Sequence, residues 1–270
     1  MKSAPNDNSN KLKITCYACG YTYNKTYRQE VYLCPDCGVI LAYALEHSVL
    51  TGRPSILIAC EESQVVTIEF RQLGFDAFSC DIEPCSGGHP EWHIQDNVEH
   101  HLNDGWDMMI AHPPCTYLTN SGNKWMKPEF KDRFPHRIEQ REQAIEFFLK
   151  LYNAPIYSVA IENPVGVMSR VFRKPDQYVH PYQFGDPHSK KTGWWLKTLP
   201  MLQPTKVVEP QFYIYKDGRR DPIWHIETLK LPKKERTRIR SRTYPGMAKA
   251  MAQQWGNFIT NIEKVNDESE

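Results

Sequence analysis

The sequence predicts an α/β protein, a mostly parallel sheet with helices on both faces, behind a small cysteine-rich module at the amino end. Three observations predict it. Short apolar runs at 55–59, 75–79, 107–111 and 156–161 alternate with stretches of helical period, the pattern of successive βαβ units. Polar residues gather just after those runs, where open α/β sheets keep their ligands. Two Cys-x-x-Cys knuckles precede the first run.

At 270 residues the chain suits one large domain with an appendage. Apolar residues are 40% and charged residues 24%, the make-up of a globular rather than a disordered or fibrous chain. No segment reaches the roughly 20 apolar residues that cross a bilayer. Residues 1–11 are polar with no apolar signal core, so a cytoplasmic protein is expected. A net charge of +1 excludes a globally basic nucleic-acid binder. Positive charge nevertheless gathers at 11–28 and 206–249, most densely in Lys233-Lys234-Glu235-Arg236-Thr237-Arg238-Ile239-Arg240-Ser241-Arg242. Such patches track phosphates or form solvated faces.

Residues 1–11 read as a disordered tail. Cys16-Tyr-Ala-Cys19-Gly20 and Cys34-Pro-Asp-Cys37-Gly38 then have the spacing of a four-thiolate structural Zn(2+) site in a ribbon over 12–42. Each knuckle turns tightly enough to aim two sulfurs at one metal, and its glycine accommodates the left-handed turn. Tyr17, Tyr21, Tyr23 and Tyr27, with Lys25 and Arg28, either contact nucleic acid or form the ribbon's own core. A linker, 43–54, leads to the first strand at 55–59. Cys60-Glu61-Glu62-Ser63-Gln64 follows, then a helix that places Val65, Val66, Ile68, Phe70 and Leu73 largely inward and stops at Gly74. The second strand ends at Asp81, with Glu83 two residues on. An acid about 20 residues after the first loop is the layout of a nucleotide-binding half-sheet, in which it accepts hydrogen bonds from a ribose. The loop 83–93 holds Cys85, His89 and His93 at spacing too irregular for a metal and reads as a surface loop. Asp96 either accepts from an adenine amino group or caps the turn near Asn97.

The strand 107–111 runs into His112-Pro113-Pro114-Cys115. Two prolines fix φ and cannot donate to a ladder, so the thiol stands on a stiff turn at a strand's carboxyl end. Taken alone, Cys115 is as readily a buried structural cysteine. A basic stretch, 124–141, precedes a helix with Ile138, Ala144, Ile145, Phe148, Leu149 and Tyr152 at helical spacing, stopped by Pro155. Strand 156–161 ends at Glu162-Asn163-Pro164. Alone, Glu162 reads as a cap or an ion pair. Right-handed crossovers place consecutive parallel strands side by side, which brings Cys115 and Glu162 within reach of one bound base. A turn at 182–191 feeds a further strand, 200–243 is a small basic segment, and a last helix runs over 245–262 with Ala248, Met251, Ala252 and Trp255 on one side.

This order of residues resembles the cytosine-5 DNA methyltransferases, and more closely the small phage-encoded proteins described as DNA cytosine methyltransferase-like. The resemblance covers 55–262. Pro113-Pro114-Cys115 is similar to the nucleophile loop and Glu162-Asn163 to the Glu-Asn pair. Phe184-Gly185-Asp186-Pro187 with Lys190-Lys191 resembles the stretch that carries basic residues toward the substrate. Residues 245–255 resemble the helix that closes the cofactor site. The resemblance implies a Rossmann-like class I methyltransferase fold, with 55–199 as the catalytic core, 200–243 as a substrate-contacting insertion and 244–270 completing the core. It implies S-adenosylmethionine as cofactor, held by Cys60, Glu61, Glu62, Ser63, Asp81 or Glu83, Asp96 and Pro113, and DNA as partner in a cytoplasm, that of a host if phage-encoded. Two departures stand out. The family's first loop is glycine-rich and this one is not, and lysines stand where arginines are usual.

In the implied chemistry Cys115 adds to carbon 6 of cytosine, which makes carbon 5 nucleophilic toward an electrophilic methyl group. Lys190, Lys191 or His112 lowers the thiol pKa. Glu162, protonated or sharing a proton with ring nitrogen 3, is oriented by Asn163. With little room for target recognition, the alternatives are thiol addition to a free pyrimidine nucleotide, transfer of another group, or a nucleic-acid-binding protein with a degenerate fold. An amino-group methyltransferase fits less well, because it wants an acid or amide in place of His112 and an aromatic residue in place of Cys115. The cysteine pairs make a separate prediction. Metal analysis of the purified chain finds about one zinc per molecule, as a single four-thiolate site requires, and Cys16→Ser with Cys34→Ser abolishes it; zinc retained by that double variant rules the ribbon out.

Overall fold

The structure is a computed structural model and describes residues 12–15, 22–25 and 53–267. Cys16, Cys19, Cys34 and Cys37 lie outside the described residues. Strands β1 (Leu12–Thr15) and β2 (Thr22–Lys25) pair antiparallel, Thr15 opposite Thr22, so in sequence the first cysteine pair falls between them.

The main body follows in the order β3 (Ser55–Ala59), α1 (Val65–Gln72), β4 (Asp76–Asp81), β5 (His93–Gln95), β6 (Met108–Ala111), α2 (Arg137–Tyr152), β7 (Ser158–Pro164), α3 (Met168–Val171), β8 (Gln177–Val179), β9 (Thr192–Lys197), β10 (Phe212–Ile214), β11 (Arg220–Pro222), α4 (Ile223–Leu229), α5 (Lys233–Ser241) and α6 (Pro245–Asp267). Seven strands form one Rossmann-like sheet in the order β5-β4-β3-β6-β7-β9-β8. Neighbours from β5 to β7 are parallel, and β9 runs antiparallel to both β7 and β8. Among the described residues no helix is long and apolar enough to cross a membrane.

Alternation along each strand builds two cores. Ile56, Ile58, Met108, Ile110, Ala160 and Trp194 face one side with Val66 and Phe70 of α1 and Ala248, Met251 and Trp255 of α6. Leu57, Ala59, Met109, Ala111, Val159, Ile161 and Trp195 face the other with Phe148 and Leu151 of α2. Near-continuous apolar strands are what a sheet buried on both faces requires.

Three expectations change. Leu73 is half exposed, because α1 ends at Gln72 and Leu73 is its C-cap. Ile138 is also exposed. The first turns of α2 pack on the loop after β6 rather than on the sheet, with Arg137 Nη2 donating to Thr116 O at 3.1 Å and Arg141 Nε to Tyr117 O at 2.8 Å. Glu162, Asn163 and Pro164 belong to β7 itself, since pairing with β9 continues to Pro164 opposite Thr192.

Trp255 is fully buried, donates Nε1–H to the Pro200 carbonyl at 2.9 Å and meets Trp194 edge-to-face at 5.3 Å. Trp255→Ala should therefore cost about 3–5 kcal/mol in urea unfolding, whereas Leu73→Ala should stay within about 1 kcal/mol. Equal losses would contradict the assignment of α6 to the core.

Candidate active site

The carboxyl ends of β3, β4, β6 and β7 lie along one edge of the sheet. Because β9 is reversed, its beginning lies at that same edge, with Thr192 opposite Pro164 and Trp194 opposite Glu162. This brings together groups far apart in sequence. A cleft there is lined by His112, Glu162, Lys190, Thr192, Trp194, Arg242, Tyr244 and Met247, and encloses about 270 Å³ counting its open mouth. Lys190, Thr192 and Trp194 recur at every second position, the period of one strand face.

Pro113 and Pro114 carry the chain away from β6 and leave Cys115 exposed. The Cys115 carbonyl accepts from Leu118 N at 3.0 Å and Thr119 N at 3.1 Å. The loop that follows is zipped to the segment after β7: Val167 N donates to Leu118 O at 2.8 Å, and Thr119 bridges to Gly166. Only glycine fits there, since a Cβ on Gly166 would lie 2.0 Å from Leu118 O. Asn163 is buried within β7 and donates Nδ2–H to the Pro113 carbonyl at 3.4 Å, while its Oδ1 has no partner. The loop that carries Cys115 and the Glu-Asn-Pro segment are thus one rigid unit.

Charge in the cleft is arranged differently from the sequence expectation. Burial pushes the Glu162 carboxyl up, but the hydrogen bond from His112 Nδ1 at 3.3 Å and the charge of Lys190 outweigh it and hold the group below its usual range. Unliganded Glu162 is therefore ionised, not protonated. Cys115 is raised rather than lowered, by desolvation and then by Glu162, with Lys190 pulling against them. Lys191 lies outside the cleft, exposed and stacked over Tyr178 at 4.3 Å, because neighbours along a strand face opposite ways. His112 is the Glu162 partner that sequence reasoning did not assign, and its Nε2 is buried without a partner. Thr192, Trp194, Arg242 and Tyr244 are further lining residues that sequence reasoning missed; only the period of two leading back from Trp194 to Lys190 signalled any of them. Burial and the negative field of Asp81 push Cys60 up strongly, and burial with Asp96 pushes Cys80 up to about 12, so these two thiols stay protonated and inert.

The edge formed by β3, β4 and β5 holds the residues expected to bind a nucleoside cofactor. Glu61 is committed to the fold: its carboxylate accepts from Val66 N at 2.7 Å and from Thr67 N and Oγ1 at 3.2 and 2.7 Å, capping α1. Glu62 remains, with a buried Oε1 that has no partner, an acceptor suited to an ammonium group. Asp81 closes β4 half-buried; desolvation raises its carboxyl, and Oδ1 accepts from Glu83 N at 3.0 Å. Glu83 itself is exposed. Asp96 is engaged by Asn97 N at 2.7 Å and by His100 and His101, each at 3.2 Å, so it serves its own turn. Ser63 is buried.

The first loop does without glycine by a different device. Cys60 and Gln64 take left-handed conformations, φ 59° and 58°. Gln64 is held by Ser79 Oγ at 3.2 Å, His89 O at 2.8 Å and His89 N at 3.1 Å. The glycine that permits close approach is Gly87, on the facing loop, where a Cβ would lie 2.5 Å from Gln64 Cβ. The loop 83–93 is thus pinned to the first loop. Among the described residues no group of three potential ligands could hold a metal ion.

The chain matches no family model and no curated protein. Among solved structures it is similar in part to a candidate DNA modification methyltransferase encoded within a prophage of E. coli. The match has 16% identity and a TM-score of 0.36 and spans 67% of this chain, but little more than half, 56%, of that one. At that similarity nothing about activity carries over.

The electrostatic arrangement makes a signed prediction. Iodoacetamide alkylation of Cys115, located by peptide mass spectrometry, should rise with pH through a midpoint above that of a free cysteine. Glu162→Gln removes a negative neighbour and should lower that midpoint; Lys190→Met removes a positive one and should raise it. The opposite signs, or no shift, would mean that these groups do not share one cleft.

Proposed function

We propose that the chain is an S-adenosylmethionine-dependent methyltransferase acting on carbon 5 of cytosine in DNA through a covalent adduct with Cys115. The observation that carries this reading is that Glu162 and Lys190 line one cleft and both act on the Cys115 thiol, whose loop Asn163 ties to β7, at the same sheet edge as the Glu62 carboxylate with its unpartnered Oε1. The chemistry requires a sulfur nucleophile and a carboxyl group on opposite sides of one pyrimidine.

S-adenosylmethionine, held by Glu62, Asp81 and the first-loop backbone, would supply an electrophilic methyl group and leave as a neutral thioether. The resting site keeps a proton on Cys115 and a negative charge on Glu162; the reaction needs the reverse. A pyrimidine entering beside Glu162 takes up one proton from solvent, which ring nitrogen 3 and Glu162 share, and neutralising Glu162 removes one of the two causes that suppress the thiolate. Cys115 gives up its proton to solvent and forms a bond to carbon 6, and the electron pair of the 5,6 double bond that breaks collects at carbon 5. Once carbon 5 has taken the methyl group, it loses its proton to solvent and the sulfur–carbon bond breaks, returning the free thiolate. Lys190 offsets the sulfur's charge throughout. A base in duplex DNA must first leave the stack, at a cost of a few kcal/mol.

The small size of the cleft and of the segment between β9 and α6 favours a second reading, the same thiol addition on a free pyrimidine nucleotide. Both are tested together. Incubated with S-adenosylmethionine and cytosine-containing DNA, the wild-type chain should yield 5-methylcytosine by nucleoside mass spectrometry, while Cys115→Ala binds cofactor in calorimetry but gives no product. Unchanged methylation by Cys115→Ala would falsify the covalent mechanism; product from free nucleotides but not DNA would move the assignment to the second reading.

A further inference from the structure

Lys190 precedes β9 and is held from outside the sheet. Its Nζ donates to the Arg240 carbonyl at 2.9 Å, in the last turn of α5, where helix carbonyls are left without partners and attract cations. The carbonyl of the preceding residue, Ser189, accepts from Trp224 Nε1 of α4 at 3.0 Å. The two helices are locked to each other by one side chain. Arg240 Nε donates to Thr228 Oγ1 at 2.8 Å and Nη2 to the His225 carbonyl at 3.2 Å, with its guanidinium 5.6 Å from the Trp224 ring. Thr228 is buried. Within a run whose Lys233, Lys234 and Arg238 are exposed, Arg240 is turned inward.

A lysine on four methylenes samples many rotamers, so its charge acts at a fixed place only if something grips it. We propose that α4 and α5 form a positioning element for Lys190, in which Trp224 and Arg240 hold its ammonium group beside Cys115 and Glu162. The proposal rests on reading Cys115 as the reacting thiol. It gives the short segment between β9 and α6 a role besides contact with substrate: it aims a charge. Trp224 and Arg240 touch no reacting atom and act through Lys190 alone. The other charged or titratable groups facing the cleft are His112, Arg242 and Tyr244, and the substitutions below leave them in place.

The test uses the full chain without cofactor or DNA and reads the alkylation midpoint of Cys115 against pH. Trp224→Phe keeps the ring and deletes the donor; Arg240→Met keeps the carbonyl and deletes the brace. Both should move the midpoint upward, in the direction of Lys190→Met, and slow alkylation several-fold at a fixed pH below it. Adding Trp224→Phe to Lys190→Met should produce no further shift, since both act through one group. Additive shifts, or unmoved midpoints in Trp224→Phe and Arg240→Met, overturn the proposal, as does an unmoved midpoint in Lys190→Met. Thr228→Val deletes a single hydroxyl and replaces Trp224→Phe as the probe if that variant does not fold, with the same expected direction. Methyl transfer by wild type and Cys115→Ala is measured separately, so the two readings fail independently.

Discussion

The register of β9 against β7 governs the cleft. With Glu162 opposite Trp194 and Asn163 opposite Gly193, the positions of β9 that share a face with Trp194 are Thr192 and, leading back, Lys190. A slip by one residue would exchange that set for Lys191, Gly193 and Trp195, because side chains alternate with a period of two. The tryptophans make such a slip costly. Trp194 packs against Trp255 of α6 on one side of the sheet and Trp195 against Phe148 of α2 on the other, at 5.3 and 5.2 Å. Apolar packing on both faces thus decides which of two adjacent lysines lines the cleft.

The rest of the edge shows how a first loop without glycine keeps its shape. Left-handed φ at a residue bearing a Cβ is unfavourable, and two such residues, Cys60 and Gln64, bracket this loop. Gln64 exchanges hydrogen bonds with the backbone of His89, so the loop after β4 supports the loop after β3. The conformational freedom that a glycine would supply within the first loop is replaced by tethering and by the missing side chain of Gly87 opposite.

Much of the fold was legible because strand and helix periods differ and because prolines mark strand exits; Cys115 and Glu162 were placed at one sheet edge from connection handedness alone. Lys190 and Lys191 were not separable, because alternation needs a register and a register needs the partner strand. Glu61 and Glu62 look identical in sequence. Only the folded helix shows that the first caps α1 while the second keeps an oxygen without a partner. Asp96 was open between two roles, and its neighbours His100 and His101 settle its resting contacts. The direction of the Cys115 shift was missed because its largest cause, desolvation, and the nearness of the Glu162 charge are set by the fold and not by the spacing of residues.

That ionised carboxylate has a consequence for the idle protein. Oxidants and stray electrophiles attack thiolates far faster than thiols. Desolvation and, after it, the Glu162 charge favour the protonated form of Cys115, so this thiol is a poorer target for peroxide than a free cysteine.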